Sequence, residues 1–242
     1  MKVFVTGATS GFGEAIAKRY IKEGHTVVAA GRRKDRLEKL SKETGCMTEV
    51  LDVTDKDAVF QVLNKHEDID VLVNNAGLAL GLQPAQETDI EDWERMVDTN
   101  IKGVMYCTRA ALPAMVKRNK GHIISIGSTA GNWQYPGGNV YGSTKAFVQQ
   151  FARNIRNDTF GTKVRSTNIE PGMADTEFST VRFKGDKEKA DKVYEGTQAL
   201  TAEDLAETVY WVSTLPEHVN VNSLEVMSVY QTWNAFRIHR EV

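Results

Sequence analysis

Tyr141 and Lys145 stand four residues apart in the stretch VYGSTKAFVQQ, residues 140–150, just beyond the glycine pair Gly137 and Gly138. Residues at that spacing share one face of a helix, which puts an ammonium within reach of a phenol. A free phenol titrates near ~10, so a tyrosine that trades protons near neutrality needs a shift of about three units, roughly 4 kcal/mol. A cation in a low-dielectric cleft favours the phenolate and supplies part of that shift. The pair therefore reads as a general acid/base, with Lys145 lowering the pKa of Tyr141. Thirteen residues upstream of Tyr141, the run IISIGSTAG ends on a turn holding Ser128, whose hydroxyl could hydrogen-bond a substrate oxygen. Ser125 and Thr129 compete for that role. Ser128 is preferred because it lies beyond the apolar strand, whereas Ser125 alternates with isoleucines that a core would bury.

A second constellation reads TGATSGFGEAIAKRY and places Gly7, Gly11 and Gly13 at GxxxGxG spacing where a strand turns into a helix. A side chain at Gly7 would obstruct the turn, one at Gly11 would block a pyrophosphate, and one at Gly13 would hold the helix off the sheet. Free amides at a helix start face phosphates, so this turn, with Thr9, Ser10 and Phe12 inside it, reads as a dinucleotide site. The next strand ends AAGRRKDRL. NAD asks for a carboxylate there to hold the ribose 2′-hydroxyl. Gly31 stands in that place, and Arg32 and Arg33 offer planar forks that match a 2′-phosphate. The predicted cofactor is NADP; the alternative is that both arginines simply start the next helix. Asp52, beside Val53, could accept from an adenine amino group. In NNAG, Asn74 can bind neighbouring backbone, and Gly77, after Ala76, lets the chain pass close to a ribose.

The elements that must position these residues show as short apolar runs: KVFVT, TVVAA, MTEVLDV, DVLVN, HIISIG, KVRSTNI and SLEVMSV, separated by helix-length amphipathic stretches. Crossovers of that length bring strands together in parallel. The prediction is an α/β fold, one doubly wound parallel sheet with helices on both faces. A chain of 242 residues with 41% hydrophobic content can bury one generous core, so a single domain over 1–242 is expected. The stretch TEFSTVRFKGDKEKADKVYEGTQ, 176–198, is polar, lysine-rich and without a strand pattern. It reads as a mobile substrate lid, with a solvated helical hairpin as the plainer alternative.

The 30 basic and 32 acidic residues leave a formal charge of -2 and are scattered, so there is no basic stripe to attract nucleic acid or anionic lipid. Cys46 and Cys107 sit in apolar settings without CxxC spacing, which reads as buried thiols in a reducing compartment rather than a disulfide. His25, His66, His122, His218 and His239 show no metal-ligand spacing, and no metal is predicted. The first residues form a strand-like run and no apolar stretch reaches membrane-spanning length, so neither a leader nor an anchor is expected. A cytoplasmic enzyme acting on small molecules fits these bounds.

Taken in order, GxxxGxG, NNAG, DTNIKG, the serine at 128, YxxxK and EPG resemble the short-chain dehydrogenase/reductase family over essentially the whole chain. The resemblance implies a Rossmann-type fold. It also implies that Tyr141 is the general acid/base, Lys145 the ribose anchor that lowers its pKa, Ser128 the oxyanion partner and Asn100 a support for a proton relay. Ile169, Pro171 and Gly172 match the segment flanking the nicotinamide, with Thr176 in the same stretch; Ala174 stands where the family often carries valine. Four longer segments, NNAGLALGLQPAQ, GSTAGNWQYPGGNVYGSTKAF, VRFKGD and WVSTLPEHVN, are similar to the NADP-dependent 3-hydroxy acid dehydrogenases, also called malonic semialdehyde reductases. That similarity implies reversible oxidation of serine, allo-threonine, 3-hydroxyisobutyrate or 3-hydroxypropanoate to oxo acids, by a homotetramer. Such a substrate carries a carboxylate, for which Arg182 in the lid stretch is a candidate partner; the alternative is an exposed structural arginine. One alternative is a reductase of another carbonyl, a 3-ketoacyl thioester or a small diketone, on the same machinery. The other is a non-enzymatic NADP-sensing regulator, which would keep the glycines and tolerate loss of tyrosine, lysine or serine; all three are present. The apolar run WNAFRI, 233–238, offers a surface that a neighbouring subunit could cover.

Overall fold

Each of the seven apolar runs contributes a strand to one parallel sheet in the computed structural model of the chain, which describes residues 1–233, 238 and 240. The strands are β1 (Lys2–Thr6), β2 (Thr26–Gly31), β3 (Met47–Val50), β4 (Val71–Asn74), β5 (Gly121–Ile126), β6 (Val164–Pro171) and β7 (Ser223–Val226). Between them run α1 (Gly11–Lys22), α2 (Lys34–Thr44), α3 (Lys56–Leu63), α4 (Ile90–Val97), α5 (Val104–Arg118), α6 (Asn139–Asp158), α7 (Glu177–Arg182), α8 (Lys187–Lys192) and α9 (Ala202–Thr214). The strands lie in the order β3-β2-β1-β4-β5-β6-β7. The order reverses between β1 and β4, the switch point at which Rossmann-type sheets bind ligands beyond their carboxyl ends.

Side chains on a strand alternate between faces, and here both faces are buried. Val3 and Val5 of β1 pack on one side with Ile16 and Tyr20 of α1 and Leu205 and Val209 of α9. Phe4 points to the other side, with Val59 and Leu63 of α3 and Met115 of α5. A smaller cluster, Leu78, Ala79, Leu80, Met96 and Tyr141, forms the floor of the switch-point region. β3 stops at Val50, so Asp52 and Val53 lie in the loop beyond it rather than in the strand.

The polar stretch 176–198 holds the two short helices α7 and α8. Thr176 caps α7, its hydroxyl accepting from the Phe178 amide at 3.2 Å. The far end is tied down by the Gly81 amide, which donates to the Arg182 carbonyl at 2.9 Å. Tyr194 adds a brace by donating to the Ala174 carbonyl at 2.8 Å. Among the described residues no helix is long and apolar enough to cross a membrane, and no three His, Cys, Asp or Glu side chains converge as a metal site. Residues 234–237 of the run WNAFRI, and His239, lie outside the described residues.

Candidate active site

Helix α6 buries one continuous face: Tyr141, Thr144, Lys145, Val148, Ala152 and Ile155. The apolar members anchor the helix, and the same stripe therefore carries Tyr141 and Lys145 inward at the end of β5. Lys145 Nζ donates to the Ile126 carbonyl at 2.8 Å and lies 5.8 Å from the centre of the Tyr141 ring. Gly127 and Ser128 continue β5 into a short turn in which Ser128 Oγ accepts from the Ala130 amide at 3.1 Å. Ser128 also stands close enough to the phenol of Tyr141 to favour its charged form. Ser125 and Thr129, the competing hydroxyls, are buried. On the open side, the Arg182 guanidinium stands 5.2 Å from the Tyr141 ring centre and 5.2 Å from that of Phe178.

Burial dominates both titrations. It pulls the Lys145 ammonium down to about 8 and pushes the Tyr141 phenol up to about 12, while the Arg182 charge and the Ser128 hydroxyl act the other way. In the protein alone the Tyr141 phenol thus stands above its free value, burial outweighing the nearby charge. Desolvation acts on the whole phenol, whereas the ammonium is turned toward a carbonyl. Tyr141 rests as a proton donor, with two cations, Lys145 and Arg182, within 5.8 Å of its ring centre.

The cleft leading to this group is lined by Gly7, Thr9, Ser10, Gly11 and Phe12 at the end of β1 and by Arg32, Arg33, Asp52 and Val53 beyond β2 and β3. Ala76, Gly77, Ser128, Tyr141, Lys145, Pro171, Gly172 and Thr176 complete the expected set. Gly7 has φ 67° and Gly11 φ 51°, the left-handed region that glycine adopts without strain. A Cβ at Gly13 would run into the Gly7 carbonyl, so Gly13 allows α1 to sit against the strand end without itself lining the cleft. At the end of β2 stands Gly31, where an NAD site carries an acid, and a Cβ there would stand 2.7 Å from Thr9 Cγ2, so that any side chain would have to displace Thr9. Arg33 Nε donates to Thr9 Oγ1 at 3.0 Å and Nη2 to Ser10 Oγ at 2.7 Å, fixing a guanidinium beside the glycine turn. Arg32 is more exposed and has Nη1 3.7 Å from Asp52 Oδ2. A glycine cradle with no acid at the end of β2 and two arginines at its rim fits NADP.

Besides Gly13, three expected residues, Asn74, Asn100 and Arg182, are absent from the cleft lining. Asn74 ends β4 with its side chain buried, and its Nδ2 donates to Thr108 Oγ1 of α5 at 3.0 Å. Its neighbour Asn75 lines the cleft instead and clamps the β1 turn, Nδ2 donating to the Thr6 carbonyl at 2.9 Å. Asn100 lies in a π-helical segment, Asp98–Gly103, where a widened turn marks many functional sites. Its amide is spent on structure: Oδ1 accepts from the Leu78 amide at 2.9 Å, and Nδ2 donates to the Leu78 carbonyl at 2.8 Å and to Thr144 Oγ1 at 3.1 Å. It therefore clamps the loop after β4 onto α6. Arg182 overhangs the cleft through the Tyr141 and Phe178 rings. Asp52 is partly engaged, its Oδ1 accepting from the Thr54 amide at 3.0 Å. Sequence reasoning missed Arg36, Thr99 and Glu177; the arginine at i+3 from Arg33 was the one available signal.

Comparison with known proteins agrees with this geometry. Residues 1–187 match the family model for short chain dehydrogenase. An NADP-dependent 3-hydroxy acid dehydrogenase of Salmonella typhi is 58% identical over 247 residues, covering 99% of this chain and 100% of that protein. A serine 3-dehydrogenase of Agrobacterium fabrum is 48% identical, covering 99% of this chain and 98% of its own. Among solved structures, the closed form of serine dehydrogenase complexed with NADP+ superposes with a TM-score of 0.96 at 57% identity, covering 100% of both chains.

The buried ammonium carries a testable cost. Below about pH 8 Lys145 is protonated in the folded and the unfolded chain; between about 8 and the free value of 10.5 only the unfolded chain holds the proton. Stability contributed by this residue therefore rises with pH through that window. Lys145→Met removes a penalty of about 3 kcal/mol at pH 7 and leaves the Ile126 carbonyl without its donor, a loss of about 1 kcal/mol. Urea unfolding is expected to show the variant about 2 kcal/mol more stable than wild type at pH 7, with the gain lost by pH 10.5. A variant less stable at both pH values would mean that the ammonium is not strained.

Proposed function

The chain belongs to the short chain dehydrogenase family, and from that premise we propose that it interconverts short 3-hydroxy acids and 3-oxo acids with NADP. The substrates are serine, allo-threonine, 3-hydroxyisobutyrate and 3-hydroxypropanoate, the last paired with malonic semialdehyde. When bound, NADP supplies or takes up the hydride. The residues of the chain do the rest. Tyr141 delivers its phenolic proton to the substrate oxygen in reduction and recovers it in oxidation. Ser128, at the same phenol, donates to that oxygen as charge develops on it. Lys145, fixed on the Ile126 carbonyl, keeps a positive charge behind the phenol and favours the phenolate once the proton has left.

The observation that carries the choice of substrate is Arg182. Its Nη2 donates to Tyr135 Oη at 3.2 Å, and its Nε is buried with no hydrogen-bond partner. A buried guanidinium nitrogen without a partner calls for an acceptor, and a carboxylate supplies one with charge. In a 3-hydroxy acid the carboxylate carbon is two bonds from the reacting carbon, so one substrate can present its hydroxyl to Tyr141 and its carboxylate to Arg182. Residues 176–198 then serve as the substrate lid of a single domain. The reading places the enzyme in the cytoplasm and includes a homotetramer. Ile90 of α4 and Met105 and Val116 of α5 expose 56%, 39% and 40% of their surface, apolar area that a second copy would cover.

Three measurements test the reading. Tyr141→Phe is expected to lose turnover by about three orders of magnitude while NADPH titration shows unchanged binding; a near-normal rate would refute the proton assignment. Arg182→Leu is expected to raise KM about tenfold or more for serine and 3-hydroxyisobutyrate and to leave a neutral alcohol of the same size little changed. Equal effects on both would remove Arg182 from the carboxylate. Sedimentation equilibrium is expected to give the mass of four chains, and a monomer would end the assembly proposal.

A further inference from the structure

Glu177, the first residue of α7, belongs to none of the motifs. Its Oε2 accepts from Arg33 Nη1 at 3.0 Å and its Oε1 from Arg36 Nη1 at 2.7 Å. Arg33 spends its other nitrogens on Thr9 and Ser10, and Arg36 also reaches the Thr9 carbonyl at 3.3 Å. The carboxylate therefore closes the outward side of the two guanidinium groups beside the glycine turn, where a 2′-phosphate would need them. Burial works against the charge of Glu177, but the bonds from Arg36 and Arg33 outweigh it and hold the carboxyl below the usual range. The ion pair is not sealed: the three side chains keep 40%, 40% and 44% of their surface, so a ligand can exchange with the acid.

Resting on the NADP reading above, we propose that Glu177 is an internal counter-anion that holds the Arg33–Arg36 pair until a 2′-phosphate displaces it, making Glu177 and Arg36 determinants of coenzyme selectivity. A phosphate carrying close to two negative charges and the Glu177 carboxylate cannot share two guanidinium groups without repulsion. One anion leaves when the other arrives. Because Glu177 opens the helix that ends at Arg182, the exchange also releases one of the ties that seat α7 over the cleft. A ligand lacking the 2′-phosphate neither displaces the acid nor gains from its removal, so the exchange is felt only by the coenzyme that carries that phosphate.

Isothermal titration calorimetry with 2′,5′-ADP and 5′-AMP, fragments that differ only in the 2′-phosphate, reads this directly and needs no turnover. Wild type is expected to prefer 2′,5′-ADP. Glu177→Gln, which keeps the shape and removes the charge, is expected to bind 2′,5′-ADP about fivefold more tightly and 5′-AMP as before. Arg36→Ala is expected to weaken 2′,5′-ADP several-fold with 5′-AMP again unchanged. If Glu177→Gln leaves the 2′,5′-ADP affinity unchanged or weaker while wild type still discriminates, the acid only tethers α7 and the exchange is wrong. If wild type fails to discriminate between the two fragments, the NADP reading falls and the exchange falls with it.

Discussion

The rest of the site is arranged around one awkward fact, a positive charge held in a nearly dry place. Lys145 is 7% exposed, and its one recorded hydrogen bond goes to a neutral carbonyl, that of Ile126. Such a bond does not match the hydration an ammonium gives up, so its affinity for a proton falls to about 8. What keeps the group inside is packing remote from it. Val148, Ala152 and Ile155 continue its helical face into the sheet, and β5 ends where its carbonyl is needed. The fold accepts local instability there and offsets it across a large apolar surface, a pattern expected of groups held ready for chemistry.

A charge kept in that state favours any anion that forms nearby. The Tyr141 phenol, pushed up to about 12, holds its proton until an oxygen appears that needs it more. The protein alone is therefore set as an acid, and its conversion to a base waits on charge arriving from outside the chain. Spacing alone puts the ammonium beside the phenol and assigns it part of the downward shift; burial acts the other way. Spacing reports that two groups are near each other; it does not report how much water each has lost, and here that second quantity is the larger.

Other elements of the reading divide along the same line. The seven strands were legible because apolar runs separated by amphipathic stretches admit few alternatives once strands are parallel. The glycine turn was legible because three spacings and a strand-to-helix change had to agree. Asn74 and Asn75 were not separable, since both end a buried strand and only the position of α5 decides which amide turns inward. Asn100 was legible as a site residue, but its partners were not, because the π-helical turn that aims it at Leu78 and Thr144 leaves no mark in DTNIKG. Arg33 and Glu177 meet across 144 positions, and no local pattern reaches that far. What was missed is tertiary: polar partners chosen by distant segments after the apolar pattern has set the fold.

Helix α7 brings two of those distant partners into one device. It has six residues, so at ~1.5 Å per residue its ends are only about 8 Å apart. Glu177 faces the arginines at one end of the cleft, and Arg182 lies over the Tyr141 ring at the other. A helix that short has no internal slack; a shift at its first turn is a shift at its last. On the role proposed for Arg182, selectivity for an acid substrate follows from cost rather than from attraction alone. With a neutral ketone in the cleft, the buried Nε of Arg182 stays without a partner, and the site bears the full desolvation of a charged donor. With a carboxylate, that donor would be paired as α7 is seated, and the group that identifies the substrate would also complete the wall that excludes water from Tyr141.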